Sequence, residues 1–352
     1  MRQKPCATLA VSLARCTPVR RTARPFAHWR NTAGGACNGR RTTLDTFPIR
    51  SPPMIAALAF AIALAAAPTA PDVVFQKLAA PDGAQLPIEV GVWRPTDTAP
   101  GQNRRLIVMS HGTGGDFRGH EDTARALAQA GFVVASLTHT GDNWRDHSRA
   151  ADVAERPRQL HVLVDYMLKD WDGHAALDPG RVGAFGFSSG GFTVLAAAGG
   201  EPDLSRMTEH CRDHPGFYDC RLVSAGFQPP SLPSRWVHDP RIKAVVAAAP
   251  ALGFTFDREG LASVRQPVQL WRAGHDQILP SPFYAEAVRG ALPRPPEYHV
   301  VEGARHFDFL APCGERLAAA APEICAPTPG FDRAAFHETF NREVVRFFKN
   351  KL

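Results

Sequence analysis

Ser188 lies between two glycines in Gly186-Phe-Ser-Ser-Gly190, after the apolar run Arg181-Val-Gly-Ala-Phe185 and before a stretch of small residues, Gly191-Phe-Thr-Val-Leu-Ala-Ala-Ala198. Glycines so placed permit a strained strand-to-helix turn, a nucleophile elbow, that exposes the serine hydroxyl beside a helix N-terminus. A hydroxyl is a poor nucleophile at neutral pH and needs a histidine base, itself oriented by a carboxylate. Two later apolar runs end in such residues: Val268-Gln-Leu-Trp271 leads into Ala273-Gly-His-Asp276, and Tyr298-His-Val-Val301 leads into Glu302-Gly-Ala-Arg-His306. Ser188, Asp276 and His306 thus follow one another as nucleophile, acid and base, each directly after a strand-like segment. Asp276 also suits a turn or cap, and His306 is one of 14 histidines, so their joint placement carries the assignment. Asp308 is an alternative acid, although a carboxylate two residues from an imidazole seldom folds back onto it.

This chemistry is acyl transfer, whose tetrahedral intermediate needs two preorganised N–H donors for its oxyanion. One expected donor is the amide of Ser189, directly after the nucleophile. The other is the amide of Thr113 in His111-Gly-Thr-Gly-Gly115, where glycines let the backbone approach closely. The glycine cluster lacks the Lys-Ser/Thr ending of a Walker motif and so does not read as a phosphate loop. No step calls for a metal or an organic cofactor.

These residues must be positioned by alternating strands and helices, which beyond residue 71 predict an α/β fold with a mostly parallel sheet covered on both faces. Residues 73–78 and 86–93 read as opening strands, with a turn at Pro81-Asp-Gly83. Strands follow at 106–109, 132–137, 242–249, 268–271 and 298–301. Helices are expected at 121–130, from Pro157 to about Asp170, and from Asp332 to about Lys349. In the last of these, Phe336, Phe340, Val344 and Phe347 recur at helical spacing. The pattern breaks at about 199–240, read as a cap inserted into the sheet order, and again at about 311–329. Phe217, Tyr218, Phe227 and Trp236 in the cap suit either the covering of a small subdomain or an apolar pocket, the former being preferred.

The 352 residues carry a formal charge of +6, unevenly placed. Residues 1–53 hold ten Arg and Lys against one acid, Asp45, which leaves 30 basic and 33 acidic residues from position 54 onward, a net charge of −3. The body is therefore mildly acidic and has no basic footprint for nucleic acid. Met54-Ile-Ala-Ala-Leu-Ala-Phe-Ala-Ile-Ala-Leu-Ala-Ala-Ala67 is uncharged and apolar, short for a membrane span but suited to a signal-peptide core with cleavage near Ala67 or Ala70. A buried helix and an uncleaved anchor are the other readings. Residues 54–70 are thus expected as a signal peptide. Residues 1–53 read as a basic disordered leader or as the product of a mis-assigned start, with translation beginning at Met54. Three cysteines (Cys6, Cys16, Cys37) fall in this leader. The other four lie as two close pairs, Cys211 with Cys220 and Cys313 with Cys325, as expected of disulfides in a periplasmic or secreted protein. Sequence alone leaves their connectivity open, and free thiols with it.

Four segments, His111-Gly-Thr-Gly-Gly115, Gly186-Phe-Ser-Ser-Gly-Gly191, Ala273-Gly-His-Asp276 and above all Gly303-Ala-Arg-His-Phe-Asp-Phe-Leu310, resemble a known group. It is the predicted dienelactone hydrolase group of α/β-hydrolases, which is also similar to platelet-activating-factor acetylhydrolases. The resemblance covers roughly residues 85–348. It implies an α/β-hydrolase fold with Ser188, Asp276 and His306 as a triad and the Thr113 and Ser189 amides as oxyanion donors. True dienelactone hydrolases use a cysteine nucleophile, and none stands at this elbow. The expected activity is hydrolysis of a small-molecule carboxylic ester. An acyltransferase or amidase on the same residues, and a non-catalytic binding protein of the same fold, are the rivals. Acyl length, alcohol moiety and oligomeric state are not legible.

Overall fold

The structure is a computed structural model that describes residues 71–83, 85–226 and 235–352. Residues 1–70, to which the leader and signal-peptide expectations refer, lie outside the described residues, as does Phe227 in the cap.

Among the described residues, eight strands form one sheet: β1 (Val73–Ala80), β2 (Ile88–Pro95), β3 (Arg104–Ser110), β4 (Val133–Thr138), β5 (Leu177–Phe187), β6 (Ile242–Ala248), β7 (Val268–Ala273) and β8 (Glu297–Val301). Their spatial order is β1-β2-β4-β3-β5-β6-β7-β8. β2 runs antiparallel to both neighbours and every other pairing is parallel. This is the α/β fold with a mostly parallel sheet that the alternation of elements predicts. After β3 the chain adds β4 on one side, then returns to add β5 on the other. Loops leaving the carboxyl ends of β3 and β5 therefore diverge from a common crevice, the place where open α/β sheets bind ligands.

Both faces of the sheet are covered, so the central strands are apolar throughout. In β3, Leu106 and Val108 enter one core while Ile107 and Met109 enter the other; in β5, Val182 and Ala184 oppose Phe185 and Phe187. The first core takes α2 (Glu155–Lys169) and α3 (Ser189–Ala197) through Leu160, Leu163, Val164, Phe192 and Leu195. The second takes α1 (Glu121–Gln129) and the C-terminal helix, Arg333–Lys351, through Leu127, Phe340, Val344, Phe347 and Phe348. Gly183 marks the tightest approach of that helix, since a Cβ there would run into the Phe348 ring. The helix starts at Asp332, whose carboxylate caps the Ala335 amide at 3.0 Å. α2 begins at Glu155, two residues before the expected Pro157, because a proline in the first turn removes an N–H that has no intrahelical partner.

Between α3 and β6 the chain leaves the sheet and forms α4 (Arg206–Asp213) and α5 (Tyr218–Ser224), joined by a Cys211–Cys220 disulfide. Helices of eight and seven residues are too short to impose a visible apolar period, so only a break in pattern shows in the sequence. α6 (Ala285–Ala291) lies between β7 and β8. After β8, the chain forms a short 3-10 turn at His306–Phe309 and then α7 (Glu315–Ala320) and α8 (Pro322–Cys325), with Cys313 bonded to Cys325. The C-terminal helix is α9. Among the described residues, no helix is long and apolar enough to cross a membrane.

Candidate active site

Ser188 caps α3 in a backbone conformation that L-residues rarely adopt, φ 55° and ψ −120°. The neighbouring glycines explain how it is tolerated. A Cβ on Gly186 would overlap the Gly190 carbonyl, and one on Gly190 would overlap that of Ser110, so the turn closes only if both positions lack a side chain. The strand edge holds the turn in place: Ser188 donates its amide to Ala248 O at 2.9 Å and accepts from the Ala251 amide at 2.9 Å.

His306 sits in the 3-10 turn that follows β8, with its ring between the other two expected residues. Its Nε2 is 3.1 Å from Ser188 Oγ and its Nδ1 is 2.8 Å from Asp276 Oδ2. A ring with the proton on Nδ1 donates to Asp276 and accepts the serine proton at Nε2, the arrangement a general base requires. The Asp276 carboxylate is oriented in turn, its Oδ1 accepting from the Ile278 and Leu279 amides at 3.0 and 2.8 Å. The side chains of His306 and Asp276 are each only 3 % exposed, and Phe187 lies 4.8 Å from the imidazole, centroid to centroid, on its inner side. Asp308, the alternative acid, points elsewhere. Its carboxylate accepts from the Arg305 amide and the Thr328 hydroxyl, both at 2.7 Å, and so pins the turn that carries His306.

The loop after β3 comes close to the elbow. Gly112 packs so near that a Cβ would lie 3.2 Å from Ser188 Cβ, and Thr113 Oγ1 is 2.6 Å from Ser189 Oγ. Ser189 is the first residue of α3, and amides in a first helical turn have no intrahelical acceptor. Ser188, Ser189 and Thr113 share one cavity of about 100 Å3, which is also lined by Met207, Leu222, Val223 and Leu279. Of the cap aromatics, Tyr218 lines the cavity, whereas Phe217 stacks on His214 and Trp236 packs on Phe192. The covering role preferred from sequence therefore describes Phe217 and Trp236, and the pocket role describes Tyr218.

A buried ion pair escaped the sequence reading. Asp142 and Arg156 meet beneath the glycine loop with side chains 4 % and 2 % exposed. Asp142 Oδ1 accepts from the Gly114 amide at 2.9 Å, while the Arg156 guanidinium donates to the His111 carbonyl. Its Nε reaches Thr193 Oγ1 at 3.1 Å, and that hydroxyl donates to Ser189 O at 2.7 Å. One guanidinium therefore ties the loop of Thr113 to the helix that begins at Ser189. The imidazoles beside it are biased toward the neutral form. Burial and the Arg156 charge push His111 down to about 3 and hold His139 well below its ordinary range. Charged residues in a polar loop and at a helix start ordinarily face water, so composition offers no signal that these two are buried.

His210, Asp219 and Cys220 bring ligand atoms within 4.8 Å of one another. Cys220 Sγ is already committed to Cys211, which leaves too few ligands for a metal site.

No protein-family model matches the chain. Over 105 residues it is 29 % identical to the Nocardia uniformis subsp. tsuyamanensis protein named "Putative esterase NocK", a match that covers 29 % of this chain and 30 % of that protein. The chain is thus similar to about three tenths of that relative's length.

Proposed function

We propose that this protein is a serine hydrolase that cleaves carboxylic esters through an acyl-enzyme on Ser188. The observation that carries the reading is the unbroken line from Asp276 to His306 to Ser188, at 2.8 and 3.1 Å, on a serine held at a strained elbow. In this mechanism His306 Nε2 takes the serine proton as Oγ attacks the ester carbonyl. Asp276 stabilises the imidazolium, and the amides of Ser189 and Thr113 receive the oxyanion. Collapse of the intermediate expels the alcohol, which takes the proton from His306. Water activated by the same ring then releases the acid. The esterase name of the Nocardia relative favours the same general activity. The similarity to the dienelactone hydrolase group belongs to this proposal, with an oxygen nucleophile in place of sulfur.

The cavity of about 100 Å3 is small and mostly apolar, which favours a short acyl group. A panel of 4-nitrophenyl esters of graded chain length, read as relative kcat/KM, should peak at two to four carbons. Labelling of Ser188 by a fluorophosphonate tests the nucleophile directly. A folded protein that neither labels nor turns over any ester would favour the binding-protein alternative, and products transferred to added alcohols or amines in preference to water would favour an acyltransferase. Export is part of the proposal: the two disulfides are compatible with an oxidising compartment, and N-terminal sequencing of native protein should find a start near residue 70.

A further inference from the structure

The cavity beside Ser188 is apolar except at a few points. Thr113, Ser188, Ser189 and Tyr218 contribute hydroxyls, and Asp219 contributes a carboxyl; no Lys or Arg lines it among the described residues. A carboxyl in such a wall asks for a reason, since desolvating a carboxylate is costly unless a cation compensates it.

Asp219 stands in the first turn of α5, with its side chain 12 % exposed. Its hydrogen-bond partners are neutral. Oδ1 accepts from the Cys220 amide at 3.0 Å, and the Tyr284 hydroxyl donates to the carboxylate at 3.0 and 3.1 Å from its two oxygens. The nearest basic group is His210, whose Nε2 is 4.0 Å from Oδ2. His210 is stacked flat on Phe254 at 3.6 Å, and burial pushes it below its ordinary range, which favours the uncharged ring. Burial in turn holds the Asp219 carboxyl above its usual range, as expected of an anion without a full counter-charge. Tyr284 feels both Asp219 and Asp276, and with burial these carboxylates raise its proton affinity. Of these two carboxylates only Asp219 lines the cavity, since Asp276 is engaged by His306.

We infer that the cavity selects esters bearing an ammonium group, with the Asp219 carboxylate as the counter-ion that receives it. The inference rests on the ester-hydrolase reading above. The Tyr284 hydroxyl and the Cys220 amide orient the carboxylate, and the Cys211–Cys220 disulfide fixes the helix that carries it. An ammonium group entering the cavity loses its water but gains attraction to the carboxylate in apolar surroundings, as a charge-assisted hydrogen bond where it carries N–H and as an ion pair where it is quaternary.

Two isosteric pairs test this. On the acyl side, 4-nitrophenyl 3-aminopropanoate is compared with 4-nitrophenyl butanoate, which replaces the ammonium by a methyl group. On the alcohol side, choline acetate is compared with 3,3-dimethylbutyl acetate. Each kcat/KM is divided by the uncatalysed rate of the same ester. The wild-type protein should prefer the cationic member of at least one pair by about tenfold or more, and Asp219→Asn should bring that ratio to within about twofold of unity. Because a ratio is read, a general loss of activity cancels. Asp219→Ser, which also removes the charge, should bring the ratio equally close to unity, and it serves as the test if Asp219→Asn fails to fold. Equal rates for both members of both pairs, or a preference that survives Asp219→Asn or Asp219→Ser, would overturn the inference. Turnover of neutral esters alone sinks only the cation assignment, whereas no turnover of any ester sinks the hydrolase reading and this inference together.

Discussion

At the scale of single residues, the site divides into groups that would react and groups that hold them. Ser188→Ala or His306→Ala should lower ester kcat/KM by three orders of magnitude or more, and the double variant should lose little beyond either single one, because a nucleophile and its base act as a unit. Asp276→Asn should cost on the order of a hundredfold or more, since it disturbs the tautomer His306 needs. Steady-state kinetics checks all three; near-normal turnover in Ser188→Ala would refute the serine mechanism. Arg156 belongs to the second group. Arg156→Met removes the tie between the His111 carbonyl and Thr193 and leaves Asp142 buried without its partner. Loss of a buried partner is expected to destabilise by about 3–5 kcal/mol. In the protein that remains folded, kcat should fall while KM stays within about twofold, because a loosened oxyanion loop weakens transition-state binding more than ester binding. A variant that loses stability but keeps kcat would show the pair to be purely structural.

At the scale of elements, the two disulfides brace the segments outside the sheet. One joins α4 to the start of α5 and the other closes the segment just after the turn of His306. With sequence separations of 9 and 12, each restricts a short loop of the unfolded chain by roughly 2–3 kcal/mol in the chain-entropy account. Reduction should therefore lower the thermal midpoint, which differential scanning calorimetry with and without reductant would measure. Reduction of Cys313–Cys325 should also lower activity, because Thr328, three residues beyond Cys325, holds the Asp308 carboxylate that pins the His306 turn. A Cys313→Ser/Cys325→Ser variant with unchanged kcat would refute that coupling.

At the scale of the whole molecule, buried neutral histidines set a pH dependence. Burial pushes His111 and His120 down to about 3, from an ordinary value of 6.5. In the unfolded chain these rings take up protons as pH falls below about 6.5, whereas the folded protein keeps them neutral until near 3. The unfolded state thus binds more protons in that window, so the stability present above pH 6.5 is lost as pH falls toward 3. Urea unfolding midpoints should be lower at pH 4.5 than at pH 7.5, by an amount worth on the order of a few kcal/mol. Equal midpoints would mean that the rings are protonated in the fold or already shielded in the unfolded chain.

The sequence by itself determined the alternation of strand and helix, the glycine-flanked serine, and the order of Ser188, Asp276 and His306 after three strands. Each follows from a local rule: two-residue and 3.6-residue periods, the backbone freedom of glycine at 186 and 190, and the tendency of polar residues to gather where apolar runs end. The pairing of Cys211 with Cys220 and of Cys313 with Cys325 was legible as proximity in the chain, though not as connectivity. What only the tertiary structure decided is everything that depends on separation in space. Asp276 and His306 lie 30 residues apart and Ser188 a further 88 before Asp276, yet one imidazole touches both. Asp308, two residues from that imidazole, is turned away by its bonds to Arg305 and Thr328. Asp142 and Arg156 look like solvated charges in the sequence, and become the brace of the glycine loop only because the loops after β3 and β4 and the start of α2 converge there. Asp219 likewise becomes a cavity wall only when the cap folds over Ser188. Local rules assign conformations to short segments, whereas the partner of a buried charge is set by how distant segments pack, and that information is not carried by any one of them.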